Sequence, residues 1–138
     1  MIQCKPEGWR LKGRNVTYRA VLVDDDSLFR DWLRSLLETS EDFKVIGEAS
    51  CAADCIVLLN AVNADVVVVD VHMPGRDGLE LAEHIKTHFP VVKTIVTSSH
   101  NDRVYSRLAE QEGAQAFIPK AELSIASLLE ALRAAPVP

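Results

Sequence analysis

Residues 66–78 have the sequence Val-Val-Val-Val-Asp-Val-His-Met-Pro-Gly-Arg-Asp-Gly, and this stretch decides the fold. Its first four residues are β-branched with no polar residue between them, which is typical of a parallel strand covered on both faces. Asp70 follows this run directly, and the proline and two glycines of residues 73–78 break the strand pattern. Parallel strands need crossover connections, usually helices, so the stretch predicts an α/β fold.

On both sides of residues 66–69, short apolar runs alternate with amphipathic segments. The other predicted strands are Ala20–Val23, Phe43–Glu48, Val91–Val96 and Gln115–Ile118. The predicted helices are 28–37, Ala52–Ala61, Leu79–Phe89, roughly Asp102–Glu112 and Leu123–Ala134. Ser27 and Ser50 are expected to cap the first two helices, and Gly113 to end the fourth. This alternation predicts a doubly wound five-stranded parallel sheet, order 2-1-3-4-5, flanked by five helices in the flavodoxin-like arrangement.

Length and composition indicate one folded domain. The chain has 138 residues, of which 48% are hydrophobic and 25% charged, so it has enough apolar material for a core and is unlike a disordered chain. The longest strongly apolar run is residues 66–69, far short of a membrane span, and no signal peptide is recognisable, so we expect a cytoplasmic protein without membrane contact. We predict a flexible basic extension at 1–17, a folded domain at 18–134 and a tail at 135–138.

The charge is unevenly distributed. The formal net charge is -5, but residues 1–19 carry five basic residues and one acidic residue, which leaves nineteen acidic and ten basic residues in the remainder. An acidic body repels a phosphate backbone, so direct nucleic-acid binding is not expected. The three cysteines, Cys4, Cys51 and Cys55, lack metal-ligand spacing and are interpreted as reduced thiols.

Polar side chains follow four of the predicted strands at their carboxyl ends, where doubly wound folds place their sites. They are Asp24 and Asp25 after the first strand, Asp70 after the third, Thr97 and Ser98 at the fourth, and Lys120 after the fifth. Three carboxylates this close repel one another unless a hard cation neutralises them, which predicts Mg²⁺ or Mn²⁺. The lysine and hydroxyls offer donors for the oxygens of a phosphoryl group.

In these motifs the chain resembles the response-regulator receiver domains of two-component signalling. The matching stretches are residues 21–30 (Val-Leu-Val-Asp-Asp-Asp-Ser-Leu-Phe-Arg), 66–70 with 73–79, 95–98 (Ile-Val-Thr-Ser) and 113–120 (Gly-Ala-Gln-Ala-Phe-Ile-Pro-Lys). They occur in the family's order and span about residues 18–134. The Pro119-Lys120 pair, with no proline after the lysine, is more similar to receivers that carry a helix-turn-helix output domain than to the chemotaxis protein.

The resemblance implies a role for each site residue. Asp70 would accept the phosphoryl group, and Asp24 and Asp25 would hold Mg²⁺ together with Asp70 and the main-chain carbonyl of His72. The phosphoryl-contacting residues would be Thr97, Ser98 and Lys120, and the switch residues Thr97 and Phe117.

The resemblance also implies a signalling switch rather than an enzyme. A sensor histidine kinase or a histidine phosphotransfer protein would supply the phosphoryl group, and phosphorylation would change partner binding. A homodimer through the face of the fourth helix, fifth strand and fifth helix is one such outcome. The chain could act as a stand-alone receiver or as the regulatory part of a transcriptional regulator.

One enzymatic alternative comes from the run of acidic residues after the first strand. Asp24 and Asp26 imitate the Asp-x-Asp signature of haloacid-dehalogenase-like phosphatases, but that class needs a further acidic pair after the lysine and leaves Asp70 without a role. We therefore expect Asp26 to be an exposed charge at a helix N-terminus, outside the metal shell. His72 is expected at the mouth of the pocket, where it either affects the rate of phosphate loss or simply faces solvent.

Overall fold

Val66–Asp70 forms strand β3, and every residue of it is buried. It is the central strand of a five-stranded parallel sheet of order β2-β1-β3-β4-β5, as the alternation of apolar runs predicted. The structure is a computed structural model, and it describes residues 16–100 and 103–134. The other strands are β1 (Tyr18–Val23), β2 (Phe43–Ala49), β4 (Lys93–Ser98) and β5 (Ala116–Pro119).

Five helices cover the two faces of the sheet. They are α1 (Ser27–Glu38), α2 (Ala52–Ala61), α3 (Gly78–His88), α4 (Arg103–Gln111) and α5 (Ile125–Arg133). One apolar layer packs α1 and α5 against the sheet through residues such as Leu33, Leu37, Leu128 and Leu132. The opposite layer packs α2, α3 and α4 through residues such as Leu59, Leu81, Ile85 and Ala109. No helix in the described ranges is long and apolar enough to cross a bilayer.

Strand β2 contains a bulge that decides which of its side chains face α1. Ala20 of β1 pairs with Val45, but the next residue of β1 pairs with Gly47, so Ile46 is an extra residue. Ile46 packs in the α2 layer, and a Cβ on Gly47 would touch Leu58 of α2, so two successive residues face the same side. The bulge shifts the alternation by one, and Glu48 consequently faces α1.

Two predicted helix caps are wrong. Asp26, not Ser27, is the N-cap of α1, because its backbone is extended and its carboxylate accepts hydrogen bonds from the N–H groups of Leu28 and Phe29. Cys51, not Ser50, occupies the cap position of α2, and it makes no side-chain capping hydrogen bond. Cys51 is half-buried and Cys55 is buried, and burial raises the pKa of the Cys55 thiol to about 12, so Cys55 is an apolar core residue.

The predicted boundaries of β4 and α5 are also displaced. Strand β4 begins at Lys93 rather than Val91, since Val91 lies in the turn after α3 with 85% of its surface exposed. A single 3-10 turn, Lys120–Glu122, separates β5 from α5, whose N-terminus is set by the Ser124 cap. Gly113 follows α4 with φ of +88° and ends it as predicted.

Some expectations fall on residues that the structure does not describe. The predicted extension and tail lie almost wholly outside the described ranges, as does Asp102, the predicted start of the fourth helix. These expectations stay predictions.

Gly78, the first residue of α3, lies against the end of β3. A Cβ at this position would overlap the carbonyl oxygen of Asp70 and lie 2.8 Å from the carbonyl carbon. The Gly78 N–H donates to the carbonyl oxygen of Val71 at 3.0 Å, and the Asp77 carboxylate with Glu80 forms a capping box. The start of α3 is thus fixed directly against the Asp70 backbone.

We predict that Gly78→Ala lowers the free energy of unfolding by about 2 kcal/mol or more, because rigid backbone atoms of Asp70 must move. Urea denaturation measures this. Gly47→Ala is the control, since its new Cβ would meet only the flexible side chain of Leu58, at 3.2 Å. A Gly78→Ala variant as stable as Gly47→Ala would show that the Asp70 backbone does not limit the space at this position.

Candidate functional site

Three carboxylates converge at the carboxyl edge of the sheet. Asp24 and Asp25 follow β1, and Asp70 ends the neighbouring β3, so the order of the strands brings them together. One oxygen of each carboxylate lies within 4.8 Å of the others. Asp24 and Asp70 are buried, at 2% and 6% exposure, whereas Asp25 is exposed. The predicted acidic cluster is therefore present, and Asp25 opens it to solvent.

The backbone around Asp24 is held by hydrogen bonds to β2 and to its own turn. Its N–H donates to the carbonyl oxygen of Ala49 at 3.1 Å, and its Oδ1 accepts from the N–H of Asp26 at 2.8 Å. One carboxylate oxygen of Asp24 therefore stabilises the turn, and Oδ2 remains directed at the cluster.

Lys120 supplies the positive charge of the site. Its Nζ lies 2.7 Å from Asp24 Oδ2, in ion-pair contact although not in hydrogen-bond geometry, and 3.7 Å from Asp70 Oδ2. The ammonium also lies 4.1 Å from the centre of the Phe29 ring, a cation–π contact from α1. The side chain is only 14% exposed, so its charge acts in a poorly solvated setting.

Both predicted hydroxyl residues are buried at the end of β4. Thr97 pairs in register with Asp70, and its hydroxyl donates a long hydrogen bond of 3.4 Å to the Val69 carbonyl oxygen. The Ser98 hydroxyl accepts from the N–H of His100 at 3.0 Å, which holds the following turn. Phe117 lies on the adjacent β5, half-buried, with its ring 6.4 Å from that of Tyr105.

His72 lies at the mouth of the site, as expected, and is exposed. Its ring makes edge contacts with His100 and Tyr105, at 5.7 Å and 5.2 Å between ring centres. Beside it lies a cleft of about 600 Å³ between α4 and the segment after β3. The cleft is lined by Asp25, Val71, His72, Met73, Pro74, Asp77, Leu79, Tyr105 and Leu108. Because Asp25 belongs to the acidic cluster and also lines the cleft, the two adjoin each other beside His72.

The donor set fits a divalent cation with hard oxygen ligands. Asp70 Oδ1 is buried with no hydrogen-bond partner among the described residues, and the three carboxylates offer only oxygen. A buried, unpaired carboxylate oxygen beside two further carboxylates is costly unless a cation neutralises it. Mg²⁺ prefers such ligands and retains several waters, which the exposed side at Asp25 accommodates.

Burial raises the pKa of Asp70 above its usual range. Desolvation has the largest effect; Lys120 opposes it, Asp24 adds to it, and a weak interaction with the His72 backbone N–H opposes it. The ionised carboxylate is therefore less stable in the folded, metal-free protein than in the unfolded chain.

Asp26 does not join the acidic cluster. Its carboxylate is exposed and is used as the N-cap of α1, as the preference for a helix-terminal charge implied. The haloacid-dehalogenase alternative requires Asp24 and Asp26 to act together. The geometry does not support that alternative.

Three residues that support the site from α1 and β2, two of them in direct contact with it, were not predicted from the sequence. Phe29 packs against Lys120, Arg30 donates to the backbone carbonyl of Asp24, and Glu48 pairs with Arg30 at 3.2 Å. Two features of the sequence could have indicated these contacts: an arginine one helical turn after Asp26, and an acidic residue near the end of β2.

A family model described as the response regulator receiver domain matches residues 20–133. The response regulator UvrY of Escherichia coli O6:H1 is 37% identical over 100 residues, which are 72% of this chain and 46% of UvrY. The transcriptional regulatory protein DegU of Brevibacillus brevis is 29% identical over 113 residues, which are 82% of this chain and 48% of DegU. This chain thus spans about half the length of these curated relatives.

Among solved structures, the signal receiver domain of the putative response regulator NarL from Mycobacterium tuberculosis matches with a TM-score of 0.79 and 28% identity. The match covers 87% of this chain and 99% of that domain. The similarity therefore extends over almost the entire described fold.

For Asp70 we predict a pH-dependent effect on stability in the absence of divalent cations. Because its folded-state pKa is raised, stability falls as pH rises from the unfolded-state value through the folded-state value. Asp70→Asn removes this penalty, so it should raise the free energy of unfolding at pH 7, with a smaller gain at low pH. Urea denaturation with a chelator at several pH values measures the effect.

The control for this prediction is Glu83→Gln, which neutralises an exposed carboxylate on α3. A lower free energy of unfolding for Asp70→Asn than for the wild type, or a stability gain that grows as the pH falls, would contradict the raised pKa of Asp70.

Proposed function

The chain belongs to the response regulator receiver domain family, and from that premise we propose that Asp70 is the residue that accepts its phosphoryl group. One observation carries the proposal: the buried Asp70 carboxylate ends the central strand between two further carboxylates and a lysine. Its Oδ1 lacks a hydrogen-bond partner among the described residues, so this oxygen is available for a ligand or for reaction.

The proposed reaction is a transfer from phosphohistidine. A carboxylate oxygen of Asp70 attacks phosphorus, an O–P bond forms, and the P–N bond breaks with its electron pair going to the imidazole of the donor. Asp24 and Asp25 would hold Mg²⁺ with Asp70 and the carbonyl of His72. When bound, the cation neutralises charge on the phosphoryl oxygens.

Lys120 and Thr97 would recognise the phosphoryl group once it is attached. The Lys120 ammonium lies within 4 Å of both buried carboxylates, so a small movement brings it to an added phosphoryl oxygen. Thr97 lies beside Asp70 in register, and its hydroxyl is held only by a long hydrogen bond that it can exchange for a phosphoryl oxygen. The Ser98 hydroxyl is proposed as a further contact.

The switch would pass from Thr97 to the face formed by α4, β5 and α5. Thr97 of β4 pairs with Ile118, the neighbour of Phe117, so a rotation of Thr97 changes the space next to β5. Phe117 is half-buried against Tyr105 and can move into that space. The rotation of Thr97 and the movement of Phe117 would shift the face of α4, β5 and α5 from one conformation to another. Phosphorylation would control partner binding through this shift.

The phosphoryl donor and the output partner are proposed from the family to which the chain belongs. Receiver domains of response regulators interact with sensor kinases, so we propose a sensor histidine kinase or a histidine phosphotransfer protein as the donor. Because relatives such as DegU are transcriptional regulators of which this chain spans about half, we propose a regulatory role in such a protein or in a stand-alone switch. A homodimer through the α4, β5 and α5 face is a proposed output, without nucleic-acid contacts by this domain itself.

We predict that acetyl phosphate with Mg²⁺ adds one phosphoryl group to the protein, and that Asp70→Asn abolishes the addition because the acceptor oxygen is lost. Intact mass spectrometry measures the product, and alkaline treatment should remove it, as expected of an acyl phosphate. Asp65→Asn is the matched control, since Asp65 lies before β3, at the opposite edge of the sheet, and accepts from the Arg19 N–H. Phosphorylation that persists in Asp70→Asn would refute the assignment.

For Lys120→Ala we predict Mg²⁺ affinity at or above that of the wild type, because an ammonium that competes for Asp24 is removed. The rate of phosphorylation by acetyl phosphate should fall about tenfold or more, since a preorganised charge next to the transferred group is lost. Calorimetric Mg²⁺ titration and time-resolved mass spectrometry measure the two quantities. Lys44→Ala, on the exposed side of β2, should change neither quantity. Weaker Mg²⁺ binding by Lys120→Ala would contradict the proposal that the Lys120 ammonium competes with the cation for Asp24.

A further inference from the structure

Arg30 of α1 joins three parts of the fold next to the acidic cluster. Its Nη1 donates to the backbone carbonyl oxygen of Asp24, and its Nε lies 3.2 Å from Oε1 of Glu48 on β2. The Arg30 and Glu48 side chains are largely buried, at 18% and 25% exposure. A guanidinium can make both contacts at once because its donors lie in one rigid plane.

The atom that Arg30 contacts belongs to the peptide that joins two proposed metal ligands. The Asp24 carbonyl and the Asp25 N–H lie in the same planar peptide unit, so a hydrogen bond to this oxygen restricts the rotation of that unit. The preceding peptide is fixed by the Asp24 N–H bond to Ala49, and Asp24 Oδ1 is fixed by the Asp26 N–H. The hydrogen bond from Arg30 is the third one around Asp24, and it fixes the position of the peptide unit that leads into Asp25.

Glu48 neutralises a charge that would otherwise oppose cation binding. An arginine next to a cation site repels the incoming ion. The charge of Arg30 alone would therefore lower the cation affinity of the Asp24–Asp25 site that it positions. Glu48 pairs with Arg30 through Oε1 and with Arg34 through Oε2, and Arg34 also pairs with Asp31 at 3.0 Å. The bulge in β2 is the reason that Glu48 faces these arginines on α1.

We propose that Arg30, neutralised by Glu48, is a positioning residue that preorganises the Asp24–Asp25 peptide for divalent cation binding. The inference rests on the proposed function, since it concerns the same cation site. It adds two residues, Arg30 and Glu48, that contact neither the phosphoryl group nor the cation. Arg34 provides the contrast, because it pairs with the same glutamate without contacting the Asp24 backbone.

The test compares the Mg²⁺ affinities of Arg30→Lys and Arg34→Lys. Each variant is titrated with Mg²⁺, and binding is measured by calorimetry and by backbone amide NMR shifts. Both variants keep the charge, so electrostatic effects on the cation are matched, but lysine cannot span the Asp24 carbonyl and Glu48 as the planar fork does. We expect Arg30→Lys to bind Mg²⁺ roughly tenfold more weakly, the size of effect seen for outer-shell partners of metal ligands. Arg34→Lys should stay within about twofold, as for a partly exposed ion pair.

A second measurement needs no metal. Hydrogen exchange with a chelator present should show faster exchange of the hydrogen-bonded Asp24 and Asp26 amides in Arg30→Lys than in the wild type or in Arg34→Lys. Thermal unfolding of each variant shows whether the fold is retained. Glu48→Gln leaves Arg30 unneutralised and should also weaken Mg²⁺ binding.

The outcomes separate this inference from the proposed function. If the wild type binds Mg²⁺ and Arg30→Lys binds it equally well, or if Arg34→Lys loses as much affinity as Arg30→Lys, the inference is overturned and the proposed function stands. A wild type that does not bind Mg²⁺ overturns both. Loss of affinity and faster amide exchange confined to Arg30→Lys supports the inference.

Discussion

Mutual repulsion among three carboxylates is the constraint on which the site depends. Asp24, Asp25 and Asp70 have oxygens within 4.8 Å of one another, and two such charges repel by about 1 kcal/mol in water and by several times more in a less polar setting. The parallel order of β1 and β3 imposes this proximity whether or not a cation is bound. The apolar layers on both faces of the sheet supply the stability that keeps these charges together.

Lys120 relieves part of that repulsion, because its ammonium lies within 4 Å of both buried carboxylates. The ammonium lies closer to Asp24 than to Asp70, and the Phe29 ring supports it from α1. A divalent cation that binds Asp24 competes with this ion pair, so cation binding and the position of Lys120 are coupled. The same coupling would release Lys120 toward Asp70, where the proposed chemistry takes place.

The sequence was sufficient to predict the order of the strands and the residues of the acidic cluster, because both follow from local pattern. Val66–Val69 indicated a doubly covered strand, and parallel strands that end in aspartate must bring their carboxylates to one edge. It was insufficient for contacts between distant segments. The pairing of Arg30 with Glu48 depends on the extra residue in β2, and the capping of α1 by Asp26 instead of Ser27 depends on backbone angles. Neither has a periodic signal in the sequence.

The bulge in β2 makes the register of that strand matter as well as the identity of its residues. β2 is an edge strand, where bulges are common. If the same residues alternated regularly from Val45 onward, Glu48 would face α2, away from both arginines, with no charged residue replaced. Functional variation at this site can therefore arise from strand register alone, in a strand that contributes no carboxylate to the acidic cluster.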